Sequence, residues 1–409
     1  MRMRCIYPIA LSVLLPVLAA AQQPTLNPTN FIVLGEGLAA GMADFSLKDV
    51  YQDKSFPNQM ATQMNVAFPQ PEFQGSGVGN VPGFPALPVR YPGPGQTTVR
   101  ADFPPQLFIF NLSIPGLRLA DSLGRPPSPP LVQEQDMLQT VINLTLGYPA
   151  LILKNQPLWN QLQYAQQMNP TLALIELGYY EALDAATSGD ITRLPAPSAF
   201  ASNYAAILKG LSGSGTVLVA TTIPNPFDTG YFTPISGLSR LVPADTATIV
   251  SAYGLQPGDV VTINGVNAIA NQMRWNETPH LPPGSVIGST VQTQITSAVT
   301  ALNSSITSAA QASGALVEDL NALFHTVRTS GLIAGSYVLT ADHLGGFYSL
   351  DGFYPGWTGN AFIANDILNL FNQKYGMGYP TIGLAGIVQN DPAVRHSLQY
   401  SSVIPPVQP

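Results

Sequence analysis

Cysteine is almost missing from this 409-residue chain, and the absence removes whole chemistries. The single cysteine, Cys5, lies in an N-terminal stretch that reads as a cleavable leader. The mature chain is therefore expected to hold neither a disulfide nor a catalytic thiol. Charge is also scarce. Asp, Glu, Lys and Arg make up 10% of the chain and the net charge is −7. That leaves no basic footprint for nucleic acid. Only four histidines occur, His280, His325, His343 and His396. They form no His-x-x-x-His pattern, and no cysteine cluster or carboxylate repeat accompanies them, so neither a metal nor a cofactor is expected. Each reads as a surface or packing histidine. Beyond the leader, no apolar run is long enough for a transmembrane segment. No repeat of solenoid length is found.

Proline and glycine are plentiful, at 38 and 36 residues, and 45% of the chain is hydrophobic. A large core with many loops follows, and the low charge argues against disorder. Arg2 and Arg4, the apolar run from Ile6 to Leu18 and Ala19-Ala20-Ala21 fit a secretory signal peptide cut after Ala21. The mature protein is thus expected to be secreted or periplasmic. Residues 22–375 read as one domain, with proline- and glycine-rich insertions at about 67–105 and 227–285, and 376–409 read as a surface tail.

Buried strands are expected at 31–35, 107–112, 171–177, 216–222 and 316–320, each a short apolar run closed by a turn signal. Helical spacing appears at 55–64, 199–211, 244–253, 291–313 and 359–371, and, with interruptions, across 132–168. Asn264-Gly265 suggests a small hairpin over 259–268. Strands alternating with helices imply an α/β fold whose parallel sheet is covered on both faces.

Four blocks at strand ends carry candidate chemistry: Gly35-Glu36-Gly37-Leu38, the stretch from Asn111 to Gly116, Gly178-Tyr179-Tyr180-Glu181, and the stretch from Phe347 to Pro355. In order and spacing they resemble the blocks of the SGNH (GDSL-type) hydrolases, and Ser349-Leu350-Asp351-Gly352 is similar to a secreted bacterial branch. The resemblance implies a three-layer α/β/α sandwich, flavodoxin-like, with a mostly parallel five-stranded sheet. It also implies ester hydrolysis, commonly of lipids or acylated carbohydrates. By the same resemblance, Gly37 stands at the nucleophile position, Tyr180 at the oxyanion asparagine and Tyr354 at the histidine. Asp351 and Gly116 stand as the family has them.

Hydrolysis by that route needs a hydroxyl, an imidazole, an orienting carboxylate and oxyanion donors. Glycine offers no nucleophile, and tyrosine, with an ordinary pKa of about 10, is no base at neutral pH. Losing nucleophile or base alone costs about 10⁶-fold in rate. The expectation is a non-catalytic homologue that binds or scaffolds. The alternative is an esterase or lipase-like hydrolase with a rearranged site, in which His343 serves Ser113 or Ser349. Backbone amides near Gly37 and Gly116 are expected to keep part of an oxyanion pocket. Tyr179, Tyr180, Phe353, Tyr354 and Trp357, with Glu36 and Glu181, are candidate contacts for a small-molecule, lipid or carbohydrate ligand. Alternatively the aromatics fill the vacated cleft, and Glu36 and Glu181 bond loop amides.

Overall fold

The computed structural model describes residues 26–79, 81–84, 108–148, 150–151, 156–213 and 215–403. The expected leader, 1–21, and much of the first insertion lie outside the described residues. Among the described residues the strands are β1 (Phe31–Gly35), β2 (Leu172–Glu176), β3 (Val217–Thr221), β4 (Phe232–Pro234), β5 (Val260–Thr262), β6 (Val286–Ile287), β7 (Leu316–Glu318), β8 (Leu332–Ala334) and β9 (Tyr337–Leu339).

The three longest strands are apolar runs with every residue buried, as a sheet covered on both faces requires. They pair in parallel in the order β1-β2-β3-β7. The second expected strand lies along the outer edge of β1. Val33 N donates to Phe110 O at 2.9 Å, Leu112 N to Val33 O at 2.9 Å, and Ile114 N to Gly35 O at 3.1 Å. Only Val33 and Asn111 form a regular parallel bridge there. With this irregular edge the chain order across the sheet is 2-1-3-4-5, the flavodoxin-like doubly wound arrangement. Such sheets bind ligands outside the carboxyl ends of their strands.

Helices cover the sheet in two groups. The Ser289–Ser313 helix packs on Pro197–Leu211, and Trp357–Tyr375 packs on Phe56–Met64. The first of these buries Ile295, Val299, Leu302, Ile306 and Ala310, a three-to-four-residue stripe. Phe56–Met64 starts where Ser55 Oγ accepts from Asn58 N at 3.4 Å and stops at left-handed Asn65.

The 227–285 segment differs from its expected form. Asn264 and Gly265 do not turn a hairpin. They open the Ile263–Trp275 helix, where Thr262 Oγ1 accepts from Gly265 N at 3.2 Å. The helix cap, followed by buried Val266 and Ile269, outweighs the local turn signal. β5 pairs instead with β4 and β6 in an antiparallel sheet. That sheet has its own apolar cluster, including Leu238, Ile249, Val261 and Ile269. The last main strand also ends earlier than 320. Asp319 caps an unexpected helix, Leu320–Thr329, by accepting from Ala322 N at 3.1 Å. Residues 376–403 do more than lie on the surface. They carry two helices, bury Val388 and Val394, and send Asp391 to accept from Thr358 N at 2.7 Å.

Candidate functional site

β1 ends at Gly35, directly opposite Glu176 at the end of β2. The chain then enters a four-residue helix, Gly37–Ala40, with Glu36 as its cap. Glu36 Oε1 accepts from Leu38 N at 2.9 Å. Glu176 Oε2 accepts from Glu36 N at 3.2 Å and Ala39 N at 3.1 Å. The amides of Glu36, Leu38 and Ala39 are thus taken by the protein's own carboxylates. Glu176 was not singled out in the sequence. Its role comes from its register opposite Gly35, and the only local signal is a glutamate closing a wholly apolar strand.

Gly37 is closed from above. A Cβ added there would sit 2.6 Å from the Tyr354 hydroxyl and 2.7 Å from its ring Cζ. Tyr354 therefore occupies the space of any side chain at position 37. Its hydroxyl donates to Glu36 Oε2 at 3.1 Å. Tyr179 crosses Tyr354 edge to face, centroids 6.2 Å apart, and donates to Phe353 O at 3.1 Å. Tyr179, Phe353 and Tyr354 are each 0% exposed. Glu36 and Glu181 are buried as well. These five candidates for ligand contact are therefore buried and offer a ligand little surface. Trp357 stays half-buried, with the Lys54 ammonium 5.7 Å from its ring.

Asp351 is present but orients no imidazole. Its Oδ1 accepts from Phe353 N at 2.8 Å and Tyr354 N at 2.9 Å, and its Oδ2 accepts from Ser349 Oγ at 2.8 Å. It braces the loop that delivers Tyr354. Ser349 Oγ also accepts from Asp44 N at 3.0 Å, and Ser113 Oγ has no partner. Neither serine pairs with His343, whose Nδ1 is unpaired and whose imidazole is pushed down to about 4 by burial and then by the Arg240 charge. His325 instead meets Asp228 at 3.1 Å and is exposed.

Burial pushes the carboxyls of this region toward their neutral forms. Glu36 and Glu176 are both raised by loss of water first; the Glu36 carboxylate pushes Glu176 up further, and Glu181 adds a smaller push on Glu36. Glu181 is raised to about 7 by burial, against the opposing pull of Leu119 N, which donates to its Oε1 at 2.7 Å. Asp351 is raised to about 6, again by burial first. Among the described residues, no three His, Cys, Asp or Glu side chains are arranged to hold a metal.

A cleft opens beside Tyr180. Gly116, with φ +84°, faces the Tyr180 ring, and the Arg118 guanidinium lies 5.6 Å from that ring's centre. Tyr180 is half-buried and lines a cleft of about 530 Å³ together with residues of both insertions, among them Gly83, Asn264 and Ser285. The cleft's participants outside Tyr180 were not visible as site residues in the sequence, because they converge from three separate segments.

No family model matches the chain, and no curated protein matches it. Solved structures do. A lipase/acylhydrolase from Enterococcus faecalis aligns at 15% identity and a TM-score of 0.37, covering 84% of this chain and 96% of that one. A protein described as a GDSL-like lipase, from Parabacteroides merdae, aligns at 10% identity and a TM-score of 0.36, covering 87% and 100%. Neither superposition adds to what the sheet order establishes. Among the described residues, no helix is long and apolar enough to cross a membrane.

Proposed function

We propose that this protein is an exported, SGNH-like homologue that has lost hydrolysis and works by binding. The observation that carries the reading is the Tyr354 ring, packed over Gly37 where a nucleophile would project. Three further features support it. The loop amides are held by Glu36 and Glu176. Asp351 is spent on backbone amides and a serine hydroxyl. The remaining site-proximal serines have no imidazole partner. A proton-transfer chain from hydroxyl to imidazole to carboxylate cannot be assembled from these groups. Export rests on the leader pattern at residues 1–21.

A fluorophosphonate probe tests this reading. An activated serine oxygen attacks its phosphorus and expels fluoride, leaving a covalent adduct. The expected result is an unlabelled protein under conditions that fully label an active serine hydrolase. Labelling at Ser113, Ser349 or any other serine, removed by His343→Ala, would establish a relocated site and overturn the proposal.

A further inference from the structure

The cleft beside Tyr180 opens next to the plugged strand ends, and of its lining residues only Tyr180 stands at a position to which the family resemblance gives a role. At about 530 Å³ it falls within the size of small-molecule sites. Its walls come from residues 81–84 and 282–285, and its floor from the Tyr179–Ser188 helix. The charges in it are balanced. Asp184 pairs with both Arg118 and Arg193, the latter at 2.9 Å, and Arg193 faces Asp190 at 3.9 Å. No surplus charge is left to select an anion or a cation.

The polar groups nonetheless suit a ligand rich in hydroxyls. Ser285 lines the cleft at 2% exposure, and its Oγ has no hydrogen-bond partner. A buried hydroxyl left unpaired is costly, and a ligand hydroxyl would relieve it. Asp184 and Arg193 are paired with each other, and the Asn264 amide nitrogen is held by Gly83 O and the Tyr231 hydroxyl, which leaves the Asn264 Oδ1, Arg193 Nη2 and the spare lone pairs of Asp184 to meet hydroxyls. The Tyr180 ring, steadied by Arg118, offers an apolar face beside them. Tyr231 donates to Gly83 O at 2.7 Å and so steadies the wall at residues 81–84.

We infer that this cleft binds a neutral, hydroxyl-bearing ring, a pyranose of an uncharged oligosaccharide, with the ring's C–H face on Tyr180 and its hydroxyls on Asn264, Ser285 and the Asp184–Arg193 pair. The inference deepens the binding reading above and rests on it only in taking the protein to hold its ligand without turnover.

The test is calorimetric titration of the purified mature chain with neutral hexasaccharides of glucan, xylan, mannan, galactan and chitin, beside an acidic galacturonan hexamer. At least one neutral hexamer is expected to bind, with an affinity that stays flat as salt rises. Tyr180→Ala and Asn264→Ala each weaken binding by about tenfold. Trp275→Ala, an exposed aromatic outside the cleft, leaves binding near native, and Tyr180→Phe, which keeps the ring, restores most of what Tyr180→Ala loses. Matching thermal melts of Tyr180→Phe and Tyr180→Ala separate lost contact from lost fold. Three results overturn the inference: no neutral hexamer binds, binding survives Tyr180→Ala, or only the acidic hexamer binds and salt abolishes it. Probe labelling of a serine together with cleft-dependent sugar binding sinks the non-catalytic reading and leaves this one standing.

Discussion

A methyl group at Gly37 would meet three atoms of the Tyr354 side chain within 2.9 Å, in a pocket where Tyr354 is wholly buried. Overpacking of this kind costs about 1–3 kcal/mol. Gly37→Ala is therefore expected to lower the urea midpoint, and most of that loss should vanish when the same change is made in a Tyr354→Ala background. Equal losses in both backgrounds would mean the two residues do not compete for one space. Asp351 gives a second expectation at this scale. Its carboxylate accepts from three amides, those of Phe45, Phe353 and Tyr354, and one hydroxyl, so Asp351→Ala leaves buried donors unpaired. A loss of about 2–4 kcal/mol follows from those unmet bonds, read by the same urea titration. A midpoint unchanged from native would show that the carboxylate is not a structural brace.

At the scale of elements, the strands that form the sheet's centre were legible because each is a continuous apolar run between turn signals, as in Phe31–Gly35 and Val217–Thr221. The long helices were legible from their stripes. The Asn264-Gly265 hairpin was misread because a turn dipeptide is a two-residue signal, whereas Thr262 and the apolar spacing behind it act over a whole helix. Gly265 is needed for a different reason than a turn. A Cβ there would lie 2.6 Å from Ser285 O, a backbone atom. Thr262→Ala is expected to cost about 1 kcal/mol as a lost cap. Gly265→Ala should cost more, because the backbone of 284–285 must move. The reverse ranking in chemical unfolding would argue against this helix start. At the site, Glu36, Tyr179, Asp351 and Tyr354, which the structure brings together, were legible as candidates because each lies in a local block at a strand end. Glu176 and the Tyr180 cleft were not. Both depend on which residues the sheet register and the two insertions bring together, and no local pattern encodes that.

Across the whole molecule, buried acids set the direction of the pH dependence. Glu36, Glu176, Glu181 and Glu318 are all raised above the ordinary 4.5, the last two to about 7, with burial as the largest cause. A raised carboxyl keeps its proton in the native state while the unfolded chain has released it. The native state then binds more protons, and stability falls as pH rises. The contribution is intact below about 4.5 and is lost progressively toward about 7. Asp190 and Asp245 are lowered and act in the opposite sense, but they lie in solvent where screening is strong. Thermal unfolding should therefore occur at higher temperature at pH 5 than at pH 8, and Glu36→Gln and Glu181→Gln should flatten the slope. A midpoint that rises between pH 5 and pH 8 would contradict the neutral, buried state of these acids.

The central claim is the proposal that Tyr354 fills the space over Gly37 where a nucleophile would project. It is tested most directly by the steady-state hydrolysis of a short-chain activated ester. The native mature chain would be compared with the triple variant Gly37→Ser, Tyr180→Asn, Tyr354→His. The account predicts no turnover above solvent by the native chain, and measurable turnover by the variant, in which the Tyr354 ring no longer occupies the space over residue 37. Turnover by the native chain, abolished by Ser113→Ala or His343→Ala, would contradict it.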